Sequence, residues 1–583
     1  MRRKWLKGAL WVLLTPIVLF VILMILLYVP PVQNFIRKQA TAIASDATGM
    51  NISVERIDLR FPLNLLVRGV QVVQSEADAA DVQHPDTLLN LGSLNVSVQA
   101  WPLLQGRVEV NAITLQQVAV NSSNLLEGMH IKGTLGRFFL ESHGIDLKKE
   151  DAILNNVELS NTHMQVMLAD TTETPKDSTE TAVNWRIALH NLKLKNVSVD
   201  LQMPLDSMAL GANIGDASIE DANLDLKRQF YGWRRFTLTE SAVNYDLGMA
   251  APVEGFDASH IALRDIRIGI DSVMACGRDM NAIIREFSMY DRSGLTVTSL
   301  TGRLFADSTL IRIPYLQLKT PHSDMDLTAQ TYWKLVDIPT TGHLSARFNA
   351  NIGKQDVLLF AGGLPETFKE AYPFRPLVIH AGTEGNLKQM QISRFTAELP
   401  GAFFLSGGGE LWNLTDSLTR NGGLDFEMQT QDLNFLTGLT GVTPDGSIIV
   451  PDSMNLVARL GLDGPQCNAI LKIKEGEGSL GLDAAYNLNT EVYHADLAID
   501  ALQLHHFLPK DSIYTLTARV TAKGQGVDVA SHKTIARVEA KLDELQYARW
   551  NISGVDLDAG LKSSVASVHL TSDNALLKMQ TEA

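Results

Sequence analysis

Polar and apolar residues alternate along most of the 583-residue chain, and this alternation limits the possible folds more than any other feature. The clearest example runs from Leu192 to Met203, where apolar residues stand at every second position on either side of Asn196. Successive side chains of a β-strand point to opposite faces, so the pattern is typical of strands with one apolar and one polar face. The chain is therefore predicted to be mainly β.

Two polar residues, rather than one, interrupt the alternation at Asn196, and the same interruption occurs near Gln117 and Asp265. One extra residue would move every following side chain to the other face of the sheet. A bulge or a tight bend restores the original face. We therefore predict bends near these three residues, with the same apolar face continuing on both sides.

The segments around two of these bends supply the predicted groove lining. We expect the sheet to be long, open, curled and twisted, with the apolar face lining a groove and the polar face in water. The residues predicted to contact lipid in this groove are Leu192, Leu194, Val197, Val199, Ile261, Leu263, Ile266 and Ile268.

The C-terminal part contains a repeat of about 75 residues. One marker is an aromatic residue twelve positions after Pro321, Pro400 or Lys474. These aromatic residues are Trp333, Trp412 and Tyr486. A second marker begins at Gln355 and at Gln431 and has a looser copy at 504–508. Each repeat is predicted to contain a short helix or loop followed by four or five strands. The evenly spaced aromatic residues favour a packing role over stacking platforms for sugars.

The N-terminus has the pattern of a membrane anchor. Four basic residues precede a charge-free apolar run that is long enough to cross a bilayer as one helix. The positive-inside rule then predicts a cytoplasmic N-terminus and an exported remainder. The alternative is a cleavable signal peptide, whose apolar region is usually shorter. The predicted anchor includes Leu10, Trp11, Phe20, Leu27 and Val29.

Two helical pieces are predicted after the anchor, at 32–47 and 355–372. The first carries an apolar stripe and would pack against the first strands, closing one end of the sheet. The predicted divisions are 1–31 as basic tip and anchor, 32–130 as a helix-plus-strand cap, 131–350 as β-groove with a polar loop at 170–181, and 351–583 as β-groove repeats.

The composition argues against several classes of protein. The net charge is −15, so nucleic acid is not an expected partner. Two distant cysteines exclude a disulfide framework. The glycine motif at 476–481 precedes a predicted strand, whereas dinucleotide binding needs a helix there. His505 and His506 would point to opposite faces of a strand and so would rarely share a metal. We predict no enzyme activity, no cofactor and no metal.

Three segments resemble the N-terminal part of TamB-type proteins, within the AsmA-like group of Gram-negative envelope proteins. They are the anchor leading into 27–36, the segment 52–63, and the block 101–120 with its "P-L-L-x-G-x-V" turn. Beyond about residue 130 the resemblance is confined to repeated strands. TamB-type chains continue well beyond this length, so the chain is either a fragment or a shorter AsmA-like relative.

The resemblance implies a β-groove protein of the bacterial periplasm, anchored in the inner membrane. It implies one of two roles, which the sequence leaves open. One is the conduction of phospholipids between the inner and outer membranes in outer-membrane biogenesis, with acyl chains in the groove. The other is a scaffold for the assembly of outer-membrane proteins with an Omp85-type barrel. Independently of the resemblance, an acyl chain of 16 carbons in water costs of order 12 kcal/mol at ~0.8 kcal/mol per CH₂, a cost that an apolar groove would reduce.

Overall fold

The computed structural model describes residues 29–48, 50–60, 64–73, 87–99, 110–122, 128–146, 149–168, 184–440, 446–528, 531–563, 565–574 and 578–582. These residues form a long, open, mostly antiparallel β-sheet with few short helices, which confirms the predicted mainly β class. The chain divides into two compact units. Unit 1 contains 1–252 and 257–292, and unit 2 contains 253–256 and 293–583.

Unit 1 begins with helix α1, Pro30–Thr48, and continues with eleven strands and the single-turn helix η1, Pro204–Asp206. The strands are β1 Asn51–Arg60, β2 Asn64–Val73, β3 Thr87–Val98, β4 Val110–Asn121, β5 Met129–Asp146, β6 Asp151–Leu168, β7 Arg186–Met203, β8 Met208–Asp225, β9 Phe230–Leu247, β10 His260–Cys276 and β11 Asp279–Asp291. Each strand pairs with the next along the chain, and all these pairs are antiparallel except β6 with β7.

Unit 2 contains strands β12 to β30 with short helices between some of them. The strands are β12 Thr296–Val297, β13 Ser299–Ala306, β14 Leu310–Lys319, β15 Asp324–Tyr332, β16 Leu344–Ile352, β17 Leu377–Asn386, β18 Gln389–Leu399, β19 Phe403–Trp412, β20 Asn421–Thr430, β21 Asn455–Asp463, β22 Gln466–Glu475, β23 Gly478–Asn487, β24 Val492–Gln503, β25 Ile513–Gln525, β26 Ile535–Tyr547, β27 Trp550–Ile552, β28 Val555–Lys562, β29 Val565–Asp573 and β30 Lys578–Glu582. The helices are α2 Trp333–Asp337, α3 Lys354–Leu359, α4 Glu366–Ala371, η2 Asn434–Thr440 and η3 Leu504–His506.

Helix α1 confirms the first predicted helix, and it covers the open edge of β1. The Arg37 guanidinium donates to the carbonyl oxygens of Val54 at 3.3 Å and Glu55 at 2.7 Å. The Gln33 amide donates to the carbonyl of Leu59 at 3.3 Å. An uncovered edge strand would leave such carbonyls available to another chain. Helix α1 therefore closes this edge of the sheet, although Phe35 of its predicted apolar stripe is exposed.

The three predicted bends are present. Gln117, Asn196 and Asp265 have φ angles of 54°, 52° and 51°, in the left-handed region that non-glycine residues rarely adopt. In β7 the paired positions step from Lys195 to Val197 and leave Asn196 out of the ladder. The extra residue restores the apolar face, as the interrupted alternation predicts.

These bends belong to one line that crosses β1 to β10 at a single level. Every member except Glu55 is a glycine or has a positive φ, and the two kinds alternate from β3 to β6 and again from β7 to β9. A Cβ added to Gly92 would lie 2.9 Å from the Gln117 Cβ, and one added to Gly136 would lie 2.8 Å from the Asn161 Cβ. The line consists of Glu55, Gly69, Gly92, Gln117, Gly136, Asn161, Asn196, Gly215, Glu240 and Asp265.

The parallel pair interrupts this alternation of glycine and left-handed residue, because Asn161 of β6 lies beside Asn196 of β7. The Asn196 amide nitrogen donates to the Asn161 side-chain oxygen at 3.2 Å. Asparagine tolerates a positive φ better than most residues. The two amides therefore continue the bend across the parallel pair without a glycine.

Substitution of Asn196 tests its backbone role. We expect Asn196→Gly to change the free energy of unfolding by less than about 1 kcal/mol, because glycine adopts this φ freely. Asn196→Val should cost about 1–3 kcal/mol, because a β-branched residue is strained there. Urea unfolding of the full chain, followed by pulse proteolysis, measures both. Equal effects of the two substitutions would contradict a backbone role for Asn196.

The predicted repeat corresponds to a helical element followed by four strands. Helices α3 and α4 precede β17–β20, η2 precedes β21–β24, and η3 precedes the strands from β25 onward. The predicted helix at 355–372 is present as α3 and α4. The three marker aromatics recur four strands apart: Trp333 directly follows β15, Trp412 ends β19, and Tyr486 is the penultimate residue of β23. The Trp333 indole donates to the Asp307 carbonyl at 2.6 Å, which fits a packing role.

One local prediction is wrong. His505 and His506 do not lie in a strand but in η3, with ring centroids 4.2 Å apart. The tight turn brings the two rings together, whereas a strand would separate them. His506 Nδ1 lies 2.7 Å from Glu475 Oε1, and no metal-binding group of three or more side chains occurs in the described ranges.

Several predicted features fall outside the described residues. They are the anchor residues before Val29, the polar loop at 170–181, and the "P-L-L-x-G-x-V" turn within 101–120. Val29 is described and is exposed immediately before α1. Among the helices that the structure does describe, none combines the length and the apolar character needed to cross a membrane.

Candidate functional site

The apolar face of unit 1 is built from rows of side chains that run across the strands. Residues directly opposite each other on paired strands lie on the same face. We name row A after Leu194, which is paired with Leu159 on one side and Ala217 on the other. Row A consists of Ile57, Val67, Leu94, Leu115, Phe138, Leu159, Leu194, Ala217, Leu238, Ile268 and Phe287. It is apolar across all eleven strands of the unit.

A second complete row, row C, runs beside row A through Leu192. It consists of Leu59, Leu65, Val96, Ile113, Leu140, Val157, Leu192, Ile219, Phe236, Ile270 and Ile284. No charged or polar side chain interrupts either row. Two such rows, side by side, give a continuous apolar strip along the unit.

The rows beyond the bend line are apolar with few exceptions. Row B passes through Val197 and Ile266 and contains Thr162 and Ser241. Row D passes through Val199 and Leu263 and ends at Asp291. The structure thus brings together the eight predicted lining residues. Leu192 is in row C, Leu194 and Ile268 are in row A, Val197 and Ile266 in row B, Val199 and Leu263 in row D, and Ile261 stands in the next row, paired with Tyr245.

The apolar face is covered unevenly. Val197 and Ile266 are 6% and 4% exposed, although no helix except α1 and the single turn η1 occurs in the described part of unit 1. Their burial therefore comes from neighbouring side chains of the same sheet, as expected where the sheet bends toward this face. Val199 remains 36% exposed. Most other row residues are between these limits, so the face is groove-like and accessible.

Unit 2 has the same arrangement over more strands. One row is apolar or glycine through sixteen strands and includes Phe348, Phe426 and Leu471. It consists of Gly302, Leu316, Leu327, Phe348, Ala381, Phe395, Gly407, Phe426, Ala458, Leu471, Leu482, Leu497, Val520, Ala540, Leu557 and Leu570.

The helical insertions cover one end of this face in unit 2. Phe368 and Tyr372 of the α4 region pack against Phe435 of η2, with ring centroids 5.5–5.9 Å apart. The cluster contacts Met428 and Ile473 from the sheet. Leu399, at its base, is the one large side chain under 2% exposed in the described chain. Unit 2 therefore has a conventional core at one end of its strands only.

Burial in this cap shifts two pKa values. The pKa of the Tyr372 hydroxyl is raised by burial. The pKa of Lys354 is lowered by burial and held up in part by the charge of Glu370. The Lys354 ammonium donates to the Glu370 carbonyl at 3.1 Å and lies 4.4 Å from the centroid of Phe374. These contacts fix the cap and suggest a structural role for the buried lysine.

An apolar cavity of about 500 Å³ lies on the open part of the face, away from the cap. Its floor is made of small residues in three adjacent strands, where Ala484 is paired with Ala469 and Ala495. Tyr486 and Tyr493 pair with each other along its side. The remaining lining residues are Leu411, Leu424, Leu460, Gly461, Leu462, Cys467, Asn468, Ala485 and His494. Small side chains leave room here that the larger residues of the neighbouring row would fill.

Filling this cavity gives a local test. If acyl chains lie along this face, Ala484→Phe should lower the amount of lipid bound by the full chain several-fold, because the ring fills space within the cavity. Asp483→Phe is the matched control, because it places the same ring on the exposed opposite face of β23. Quantitative mass spectrometry of bound lipids measures the effect. If the two variants bind equal amounts of lipid, the cavity has no part in binding.

The opposite face of the sheet carries the charges. In unit 1, Arg234 donates to Asp221 at 2.8 Å, and His190 lies 3.3 Å from the same carboxylate. These two contacts hold the pKa of Asp221 below its usual value. In unit 2, Arg537 lowers the pKa of Asp558 in the same way. The water-facing surface therefore carries exposed ion pairs. Each contributes little to the free energy of unfolding.

The sequence motifs for chemistry have structural explanations. Gly476 and Glu477 form the turn between β22 and β23, and Gly481 lies inside β23. No helix N-terminus follows, so the motif does not form a dinucleotide-binding loop. Gly407–Gly409 lie in β19 opposite a register shift in β18, and the Gly409 φ of 154° marks a bend there.

Sequence reasoning missed the second bend level and the cavity. The segment Leu189–His190–Asn191–Leu192 shows the same two-residue interruption as the one at Asn196, and the paired β8 position, Asp221, has a φ of 50°. That signal was present in the sequence. The run of alanines opposite one another in β22–β24 had no signal, because it depends on strand register.

Comparisons with known proteins add no assignment. No protein-family model matches the chain. No curated protein matches it either.

Proposed function

We propose that the protein conducts phospholipids between the inner and outer bacterial membranes, with acyl chains lying along the apolar face and headgroups in water. In this proposal the chain is a single-pass inner-membrane protein with a cytoplasmic N-terminus and a periplasmic sheet. It has no catalytic role in the process and supports outer-membrane biogenesis by supplying lipid.

The observation that carries the proposal is the pair of complete apolar rows, A and C. A soluble β protein of this size normally covers such a face with a second layer. Here the rows stay accessible across eleven strands in unit 1, and unit 2 has a cap at one end only. Strand neighbours are ~4.8 Å apart, so an acyl chain crossing a few strands finds apolar contacts at every step. A repetitive lining without convergent polar groups suits passage better than tight binding.

The experiment is mass spectrometry of lipids that remain bound to the full chain after purification in a mild detergent. The proposal predicts phospholipids above the level found in a control membrane protein prepared in the same way. It also predicts that bound lipid is lost when a row residue is changed to Asp. If the purified protein carries no more phospholipid than the control membrane protein, the proposal is contradicted.

The alternative is a scaffold that assembles outer-membrane proteins with an Omp85-type barrel by pairing its strand edges with incoming strands. The β1 edge argues against this use, because the Arg37 and Gln33 side chains occupy its carbonyl groups. Photocrosslinking tests this alternative. Crosslinks from the last strands to barrel proteins, without crosslinks from the apolar rows to lipid, would favour the scaffold.

A further inference from the structure

The water-facing side of unit 2 contains an uncommon group of basic side chains at β16–β18. Arg347 of β16 and Arg394 of β18 are both paired in register with Gly382 of β17, so they stand on the same face on either side of a residue with no side chain. Next to them, His380 is paired with Asn349. Together these residues line a cavity of about 380 Å³.

The two arginines differ from Arg459 and Arg537 on this side of the sheet. Arg459 forms an ion pair with Asp425, directly opposite in the ladder, at 2.5 Å, and Arg537 forms one with Asp558, diagonally opposite on the paired strand, at 2.6 Å. Arg347 and Arg394 form no ion pair with any residue in the described ranges.

The residues opposite the two arginines explain the missing ion pairs. Arg347 faces Thr328 on one side and Gly382 on the other, so neither direct neighbour carries a charge. Glu384, two residues from Gly382, does not line the cavity. Asp326, which is paired with Asn349, does not line the cavity either, so the two arginines give its lining a positive charge in a chain whose net charge is −15.

The backbone makes little demand for glycine at Gly382. Its φ is not positive, and a Cβ added there would meet only the Ser393 hydroxyl at 3.0 Å and the Arg394 carbonyl at 3.9 Å. A small side chain would fit after a slight movement of that hydroxyl. Because Gly382 has no side chain, the cavity stays open between Arg347 and Arg394.

The donors around this cavity match a compact oxyanion. A guanidinium presents paired N–H donors that fit phosphate oxygens in a bidentate manner. His380 Nδ1 lies 2.8 Å from Asn349 Oδ1, so its Nδ1–H is taken up by that oxygen and the two guanidinium groups are the main donors of the cavity. The Ser393 hydroxyl adds one more donor at the edge of the cavity.

We propose that Arg347 and Arg394, with Gly382 between them, bind a phosphate group presented from the aqueous side of the sheet. The site lies on the face opposite the apolar rows and is independent of lipid conduction. The phosphate is either a free anion or a monoester headgroup at a membrane surface. Both sources present the same terminal oxygens to the two arginines.

The test measures binding of inorganic phosphate to the full chain by isothermal titration calorimetry at constant ionic strength, with chloride as the competing anion. A parallel arm measures binding to vesicles of phosphatidylcholine with about one-fifth phosphatidic acid, against phosphatidylcholine alone. Saturable binding of inorganic phosphate identifies a free anion, and binding only to the phosphatidic acid vesicles identifies a headgroup. Absence of saturable binding in both arms overturns the proposal.

The variants are Arg347→Gln and Arg394→Gln, with Arg459→Gln as the matched control. Each of the first two should weaken binding about tenfold or more, as expected for loss of a charge-assisted hydrogen bond. Gly382→Leu should abolish binding by filling the cavity, and circular dichroism checks that it still folds. Arg459→Gln removes the same charge from the same side of the sheet and should leave binding within about twofold. Equal weakening by all three arginine variants would show nonspecific attraction and also overturn the proposal.

Discussion

Val199→Asp is expected to slow lipid passage along unit 1 by about tenfold or more. Val199 is paired with Met164 and Ala212 in row D and is 36% exposed, so a carboxylate there keeps its water. The retained water would leave about two methylene groups of a passing acyl chain uncovered, at ~0.8 kcal/mol each. That loss raises the barrier to passage by roughly 1.6 kcal/mol, or a little over tenfold in rate.

Transfer of a fluorescent phospholipid from vesicles that contain the full chain to acceptor vesicles measures this effect. Gln202→Asp is the matched control, because it adds the same charge three residues along β7 on the exposed opposite face. The partial exposure of Val199 limits the loss of stability to about 1 kcal/mol, which separates passage from folding. Equal transfer rates for both variants would count against a lipid path over row D.

Gly215→Val is expected to destabilise unit 1 by about 2–4 kcal/mol, the cost of forcing side-chain atoms into a filled space. A Cβ at Gly215 would lie 2.7 Å from the Cβ of Glu240, and it would also contact the Glu240 carbonyl oxygen. Glu240 is held at a φ of 51°, so it cannot move away without unbending β9. The strain should therefore spread along the bend line into β8 and β9.

Hydrogen exchange of the full chain, read by mass spectrometry over 208–247, reports this local loss of stability. Gly144→Val is the control, because no heavy atom lies within 4 Å of a Cβ at Gly144 and its φ is not positive. Faster exchange in β8 and β9 for Gly215→Val alone supports a bend that requires glycine. Similar exchange in both variants would show that the bend tolerates a side chain.

The alternation of residues predicted the strands, and its interruptions predicted the bends. Asn196 illustrates why this works: the period of two is a local property of the chain, so a one-residue excess requires a local correction. The repeat markers at Gln355 and Gln431 likewise located the helical insertions, since these elements recur at one spacing.

Register and parallel pairing could not be predicted in the same way. Which residue of β22 faces Ala484 depends on strand alignment, and no single segment records that alignment. The parallel pairing of β6 with β7 was also missed. The segment between Leu168 and Arg186 is long enough for the crossover that a parallel pair requires, so its length was the available signal.

His505 and His506 show a further limit. Their sequence context matches that of a strand end, yet the chain turns through η3 at this point. The two arginines that flank Gly382 had no sequence signal. Between Arg347 and Arg394 lie 46 residues, which include the whole of β17. Both cases depend on contacts between distant segments.

Photocrosslinking along the two faces tests the central claim most directly. A photoreactive amino acid is placed in the full chain at row positions Leu194 of unit 1 and Leu471 of unit 2, and at the opposite-face positions Lys195 and Lys472. The protein is then irradiated in membranes that contain labelled phospholipid. The account predicts lipid adducts at Leu194 and Leu471 and few at the two lysine positions. Equal labelling of both faces, or no labelling of either row, would contradict it.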